Sequence, residues 1–229
     1  MHYLLILLGL VSGSLWAHDL WIKQGDNGFI LYQGHRHSRH AGAEIVPYDP
    51  AKVKGFTCID DSGNAKSLEG SKSYPARVSG DCATLHAAFS TGYWTKTAWE
   101  TKNLPKTGIS GVVKSWYSEE SLKLIRRWIA ASTEPMQTGL DITPTTNPFD
   151  VELGDKLVVL VTYDGKPVSG VPVAYAGVTR GASGRDGKVA IRLRRAGLQQ
   201  LQASQETALT DGKADSAIRT ATLQFELVE

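Results

Sequence analysis

The sequence predicts a mainly β protein: an N-terminal β-sandwich-like domain with one helix, followed by a small immunoglobulin-like or transthyretin-like C-terminal β-sandwich. Short runs with β character alternate with turn residues along most of the chain. The 229 residues include 23 glycines and nine prolines, and 41% are hydrophobic, which is typical of a folded, turn-rich protein. The formal net charge is only +2, so nucleic-acid binding has no electrostatic support.

The first 17 residues resemble a signal peptide cleaved after Ala17. Residues 4–11 form an apolar or glycine run, which is shorter than the roughly 20 residues that cross a membrane as a helix. Small residues and Ala17 follow, as a signal peptidase requires. The segment before the run has no Lys or Arg, which is less typical. We therefore expect a periplasmic protein beginning at His18, without stable membrane insertion.

The N-terminal domain is expected to span residues 18–131 and to begin with a hairpin. Residues 19–23 and 29–33 have β character and flank the turn sequence 26–28. A strand follows at 53–59. Residues 83–89 and 93–99 flank Ser-Thr-Gly at 90–92 and predict a second hairpin.

Residues 118–131 are predicted to form the helix. Ser118 can cap its N-terminus, and two glutamates follow in the first turn. Apolar residues then recur at helical spacing at positions 122, 125, 128 and 129, with Lys123 on the other side. A polar linker with three prolines is expected over 132–148.

The C-terminal domain is expected to span residues 149–229. The runs DGKPVSGVPVAYAG, GRDGKVAIRL and AGLQQLQAS resemble the small immunoglobulin-like or transthyretin-like sandwiches of secreted bacterial proteins. Their motifs are those of turns and strands, so they indicate a fold and not an activity. We assign no site to this domain.

The two cysteines, Cys58 and Cys82, are predicted to form a disulfide, since an oxidising compartment favours pairing. The alternative, thiolate metal ligation, lacks the usual zinc spacing.

Four histidines near the expected mature terminus are the candidate metal ligands: His18, His35, His37 and His40. An N-terminal histidine offers both its α-amine and its imidazole. The predicted hairpin places His18 at the start of one strand and His35 at the end of its partner, so both lie at one end of the sheet. His37 shares the parity of His35, whereas His40 joins only if the chain turns. His86, in an alternating strand, is an optional member.

Nitrogen ligands suit Ni(II), Co(II), Cu(II) or Zn(II), whereas Ca(II) and Mg(II) prefer oxygen. The histidine-rich stretch could instead be a basic loop that contacts acidic lipids or a partner. No nucleophile triad, phosphate loop or paired-carboxylate motif stands out, so we do not predict an enzyme.

The chain resembles a bacterial periplasmic family of unknown-function domains associated with nickel or cobalt uptake. The likeness lies in AHDLWI, LYQGH, AGAEIVPYDPAKVKGFTCIDDSG, GYWTKT, KSWY and DGKPVSGVPV. It implies capture or delivery of Ni(II) or Co(II) for a membrane transporter, with His18 and His35 at the family's histidine positions. His37 and His40 lie outside the matched runs.

Two other functions remain open. The chain could be a secreted two-domain interaction module without metal. It could also be a copper-dependent oxidative enzyme, because an N-terminal histidine with a second imidazole resembles the copper site of polysaccharide-cleaving oxidases.

Overall fold

The computed structural model describes residues 19–25, 27–36 and 44–227. These residues form sixteen strands and three short 3-10 helices, at Pro50–Lys52, Ala130–Thr133 and Pro148–Asp150. The strands are β1 Asp19–Gly25, β2 Gly28–Gly34, β3 Val53–Ile59, β4 Ala65–Leu68, β5 Arg77–Val78, β6 Thr84–Thr97, β7 Thr101–Lys102, β8 Val112–Ile125, β9 Leu140–Pro144, β10 Lys156–Tyr163, β11 Lys166–Pro167, β12 Pro172–Tyr175, β13 Val178–Ala182, β14 Lys188–Arg192, β15 Gly197–Ala208 and β16 Ser216–Leu227.

The strands form three sheets, which confirms the mainly β fold class. A nine-stranded sheet has the order β13-β12-β15-β16-β8-β6-β3-β4, with β7 paired to β6. A three-stranded sheet has the order β1-β2-β5, and a four-stranded sheet has the order β11-β10-β14, with β9 also paired to β10. Most neighbours are antiparallel, but β16 pairs with β8 in parallel.

The large sheet contributes to two hydrophobic cores, one on each face of β8. Because side chains alternate along a strand, Leu122 and Leu124 join a core with β1, β2, β3 and β6. Ile125 joins the other core, which contains residues of β9, β10, β12, β14, β15 and β16. Strand β8 is therefore covered on both faces in its second half.

The predicted helix at 118–131 is wrong. Residues 112–125 form strand β8, and no helix of seven or more residues occurs in the part of the chain that the structure describes. Strand β8 pairs with β6 on one side and β16 on the other. These long-range pairings override the local capping signal, and burial of both faces gives an apolar spacing that resembles a helix.

The predicted hairpin at residues 83–99 is also wrong. Strand β6 runs without a turn from Thr84 to Thr97, and the small residues at its centre mark a register shift between Ser90 and Gly92. A β-bulge uses the same small, turn-prone residues as a tight turn, so composition alone does not distinguish the two.

The first hairpin and the disulfide are confirmed. Strands β1 and β2 pair antiparallel from Asp19↔Gly34 to Gly25↔Gly28. Cys58 and Cys82 are bonded and fully buried. The division into domains at 131 and 149 stays a prediction, although the segment expected as a linker contains the buried strand β9.

Among the described residues, no helix is long and apolar enough to cross a membrane.

Candidate functional site

The hairpin of β1 and β2 brings the beginning of β1 next to His35. Asp19 lies opposite Gly34 in the register, and His35 follows directly. The backbone N–H of His35 donates to the carbonyl of Glu44 at 3.0 Å. A Cβ at Gly34 would lie 1.9 Å from the Glu44 carbonyl oxygen, so only glycine permits this close approach.

Glutamine side chains of the large sheet hold the outer edge of β1. Gln224 accepts from the backbone N–H of Ile22 at 2.9 Å and donates to its carbonyl at 2.6 Å. Gln200 donates to the carbonyl of Leu20 at 3.2 Å. These bonds satisfy backbone groups that a neighbouring strand would otherwise pair, and they fix β1 against β15 and β16.

The same arrangement brings two carboxylates within electrostatic range of each other. Asp19 is buried, and its Oδ1 accepts from Nε2 of Gln202 at 3.0 Å. Glu120, from β8, is partly buried and lies close enough to interact electrostatically with Asp19. Burial, and then the charge of Asp19, raises the pKa of Glu120 to about 8. Two carboxylates at this position favour a shared proton or a cation.

The raised pKa of Glu120 predicts a pH-dependent stability. Between the ordinary value of 4.5 and about 8, the folded state holds a proton that the unfolded state releases. The free energy of unfolding therefore falls as pH rises through this window. We expect Glu120→Gln to flatten the decline in melting temperature of the metal-free protein between about pH 5 and about pH 8.

The neighbouring Glu119 gives the control for this measurement. Its carboxylate accepts from Arg219 at 3.0 Å on the opposite face of β8. Glu119→Gln should keep the wild-type slope. An unchanged slope in Glu120→Gln would contradict the assignment.

A cleft of about 790 Å³ runs beside β1. Trp21, which lies on the same face of β1 as Asp19, stacks on Tyr32 with ring centroids 5.8 Å apart. Arg36, the residue after His35, lies 5.7 Å from the Trp21 ring centroid. The cleft gives solvent access along residues 21–24 of β1, and neither Asp19 nor Glu120 lines it.

A second buried polar cluster lies on the other face of β8. Nζ of Lys123 lies 2.6 Å from Oδ2 of Asp141, with both side chains 2% exposed, and donates to Thr143 at 2.5 Å. The backbone N–H of Met136 also donates to this carboxylate. The cluster joins β8 to β9, and nothing in it is open to a ligand from solvent.

His86 lies opposite Lys123 in the β6–β8 register and is buried. Burial, together with the charge of Lys123, lowers its pKa to about 4. It belongs to the second cluster, on the face of the large sheet opposite the core that contains β1 and β2, so the structure does not place it in the candidate site.

Of the four predicted ligands, only His35 lies within the described residues, where it is half-buried. His18, His37 and His40 lie outside them. No group of three or more His, Cys, Asp or Glu residues that could hold a metal is found among residues 19–25, 27–36 and 44–227.

Sequence reasoning missed Asp19 and Glu120, and with them the oxygen donors at this position. Asp19 is the second residue after the predicted cleavage site, next to His18, and that position was a usable signal. Glu120 was placed in the first turn of a helix that does not exist.

The fold and this position define a mainly β protein whose first strand begins at a buried aspartate, Asp19, within electrostatic range of the partly buried Glu120. The chain belongs to the DUF4198 family, a domain of unknown function, which matches residues 15–207. No curated protein matches the sequence.

Proposed function

We propose that this is a periplasmic protein that binds Ni(II) or Co(II) and captures the ion for, or delivers it to, a membrane uptake transporter. The site lies at the beginning of β1. Its ligands are the α-amine and imidazole of His18, the imidazole of His35, and a carboxylate from the Asp19–Glu120 pair. His37 and His40 are further candidates on the segment that follows.

The observation that carries the proposal is the carboxylate pair. Asp19 and Glu120 are 101 positions apart in the chain, yet the fold brings them within electrostatic range, where burial opposes ionisation of Glu120. Such a pair is stabilised when a cation replaces the proton. A divalent ion would satisfy both charges beside the expected mature terminus.

The hairpin register supports the role of the histidines. Asp19 pairs with Gly34, so His35 lies one residue beyond the partner of Asp19, which itself follows His18 in the sequence. The proposal therefore has His18 and His35 share one ion.

A mixed set of nitrogen and oxygen donors fits Ni(II), Co(II) or Zn(II), with Cu(II) favoured by raw affinity. The proposed ligand set therefore adds a carboxylate to the nitrogen donors expected from the sequence. Because the α-amine must lose a proton to bind, affinity should weaken below neutral pH.

Isothermal titration of Ni(II) into the mature protein tests the proposal. A Met-Gly extension before His18 blocks the amine, and we expect it to lower affinity by more than about 100-fold. Glu120→Gln should lower affinity by about 10- to 100-fold.

Glu119→Gln is the matched control, because its carboxylate faces the other side of β8, and it should bind like wild type. Equal affinity with and without the extension would remove the amine from the site. Absence of Ni(II) and Co(II) binding in the wild-type protein would overturn the function.

A further inference from the structure

Three large apolar side chains are exposed at one end of the nine-stranded sheet. Residues 96–114, here called the tip, connect β6 to β8 through β7. Within the tip, Trp99 is 93% exposed, Leu104 54% and Val113 66%. A tryptophan has a large apolar surface that folding normally buries, so a contact outside this chain would remove a large apolar area from water.

The strand pairing places these three residues together. Lys102 of β7 pairs with Thr95 near the end of β6. Val112, at the start of β8, pairs with Thr97. The exposed residues therefore all lie at the end of the sheet where β6 finishes and β8 begins.

Hydrogen bonds hold the tip in a defined conformation. Oγ1 of Thr97 accepts from the backbone N–H of Trp99 at 3.3 Å. Thr95 donates to the carbonyl of Leu104 at 2.8 Å, and the backbone of Lys106 bonds to that of Lys213 at 2.9 Å. The apolar side chains are displayed on a fixed scaffold.

The tip has a small excess of positive charge, with four lysines against one glutamate over residues 96–114, while Glu206 and Asp215 from outside the tip pair with two of the lysines. The pairs of Lys102 with Glu100 and of Lys114 with Glu206 are more exposed and contribute little, so these two lysines can exchange their partners for other anions. Lys106 stays bound to Asp215 at 2.6 Å, and Lys96 adds a further positive charge.

We propose that the tip docks on a membrane surface that carries anionic headgroups. Tryptophan and lysine are the residues that favour the boundary between hydrocarbon and water, where an indole ring lies at headgroup depth. Basic side chains next to it are attracted to anionic lipids. The contact is peripheral, and it does not depend on metal binding.

Vesicle co-sedimentation of the full mature chain tests this proposal. We compare vesicles of phosphatidylcholine alone with vesicles that also contain phosphatidylglycerol. Wild type should bind the anionic vesicles more tightly, and added salt should weaken this binding. Trp99→Ala should lower the partition coefficient by at least about tenfold, because the indole ring supplies most of the apolar area that the membrane would cover.

Leu104→Ser and Leu153→Ser form a matched pair, since both leucines are 54% exposed and only Leu104 lies in the tip. Leu104→Ser should weaken binding, whereas Leu153→Ser should not. Trp99 packs little against the protein, so its variant should keep the wild-type unfolding midpoint. Failure of the wild-type protein to bind anionic vesicles would overturn the proposal. A protein partner would then be the remaining candidate for contact with the tip. Binding that Trp99→Ala does not change would also overturn it.

Discussion

Lys123→Ala is expected to destabilise the fold by about 3–5 kcal/mol, the largest effect of any single substitution proposed for this chain. Lys123 and Asp141 are each 2% exposed, and their atoms lie 2.6 Å apart. Removal of the amine leaves the Asp141 carboxylate buried, with only Thr143 and a backbone N–H as donors. Urea unfolding at neutral pH measures the change in the free energy of unfolding.

Lys114→Ala is the control, because its ion pair with Glu206 is 40% and 36% exposed. It should change stability by no more than about 1 kcal/mol. The double variant Lys123→Met/Asp141→Leu should be more stable than Lys123→Ala, because it buries no unpaired charge. If Lys123→Ala lost no more stability than Lys114→Ala, the buried ion pair of Lys123 and Asp141 would not stabilise the fold.

The variant Cys58→Ala/Cys82→Ala is expected to lose about 3 kcal/mol of stability. The disulfide joins residues 24 positions apart, and this loop lowers the conformational entropy of the unfolded chain. Both cysteines are fully buried, so the double substitution also removes a little packing. The bond ties the end of β3 to the residues just before β6, across the segment that contains β4 and β5. Urea unfolding of the oxidised protein and the variant gives the difference.

Reductant provides the internal control. It should destabilise wild type toward the value of the double variant and leave the double variant unchanged. If reductant left the wild-type midpoint in place after free-thiol titration had shown complete reduction, the disulfide would not be a source of stability.

Local sequence signals predicted the elements that depend on local contacts. The hairpin of β1 and β2 needs only two alternating runs and a turn, and the sequence contains all three. The disulfide could be predicted from the presence of two cysteines and the expectation of an oxidising compartment. Strand β8 was different, because its conformation depends on β6 and on β16, whose pairing residues lie about a hundred positions away.

The candidate site also combines a part that depends on local contacts with a part that depends on long-range strand pairing. His35 was placed beside the beginning of β1 by hairpin reasoning, and the register Asp19↔Gly34 agrees with that geometry. Glu120 reaches the site only because β8 lies next to β16 beneath β1. Local capping and spacing signals favour a helix over residues 118–131, and a helix gives no reason to bring that carboxylate to Asp19.

The position of β16 has a consequence for the order of folding. This strand lies between β15 and β8 at the centre of the nine-stranded sheet, although it is the last strand described along the chain. Until residues 216–227 are available, β8 and β15 each have an unpaired edge, and the glutamine that binds Ile22 is missing. The nine-stranded sheet can therefore be completed only after residues 216–227 have been synthesised, so its assembly must wait for its last described strand.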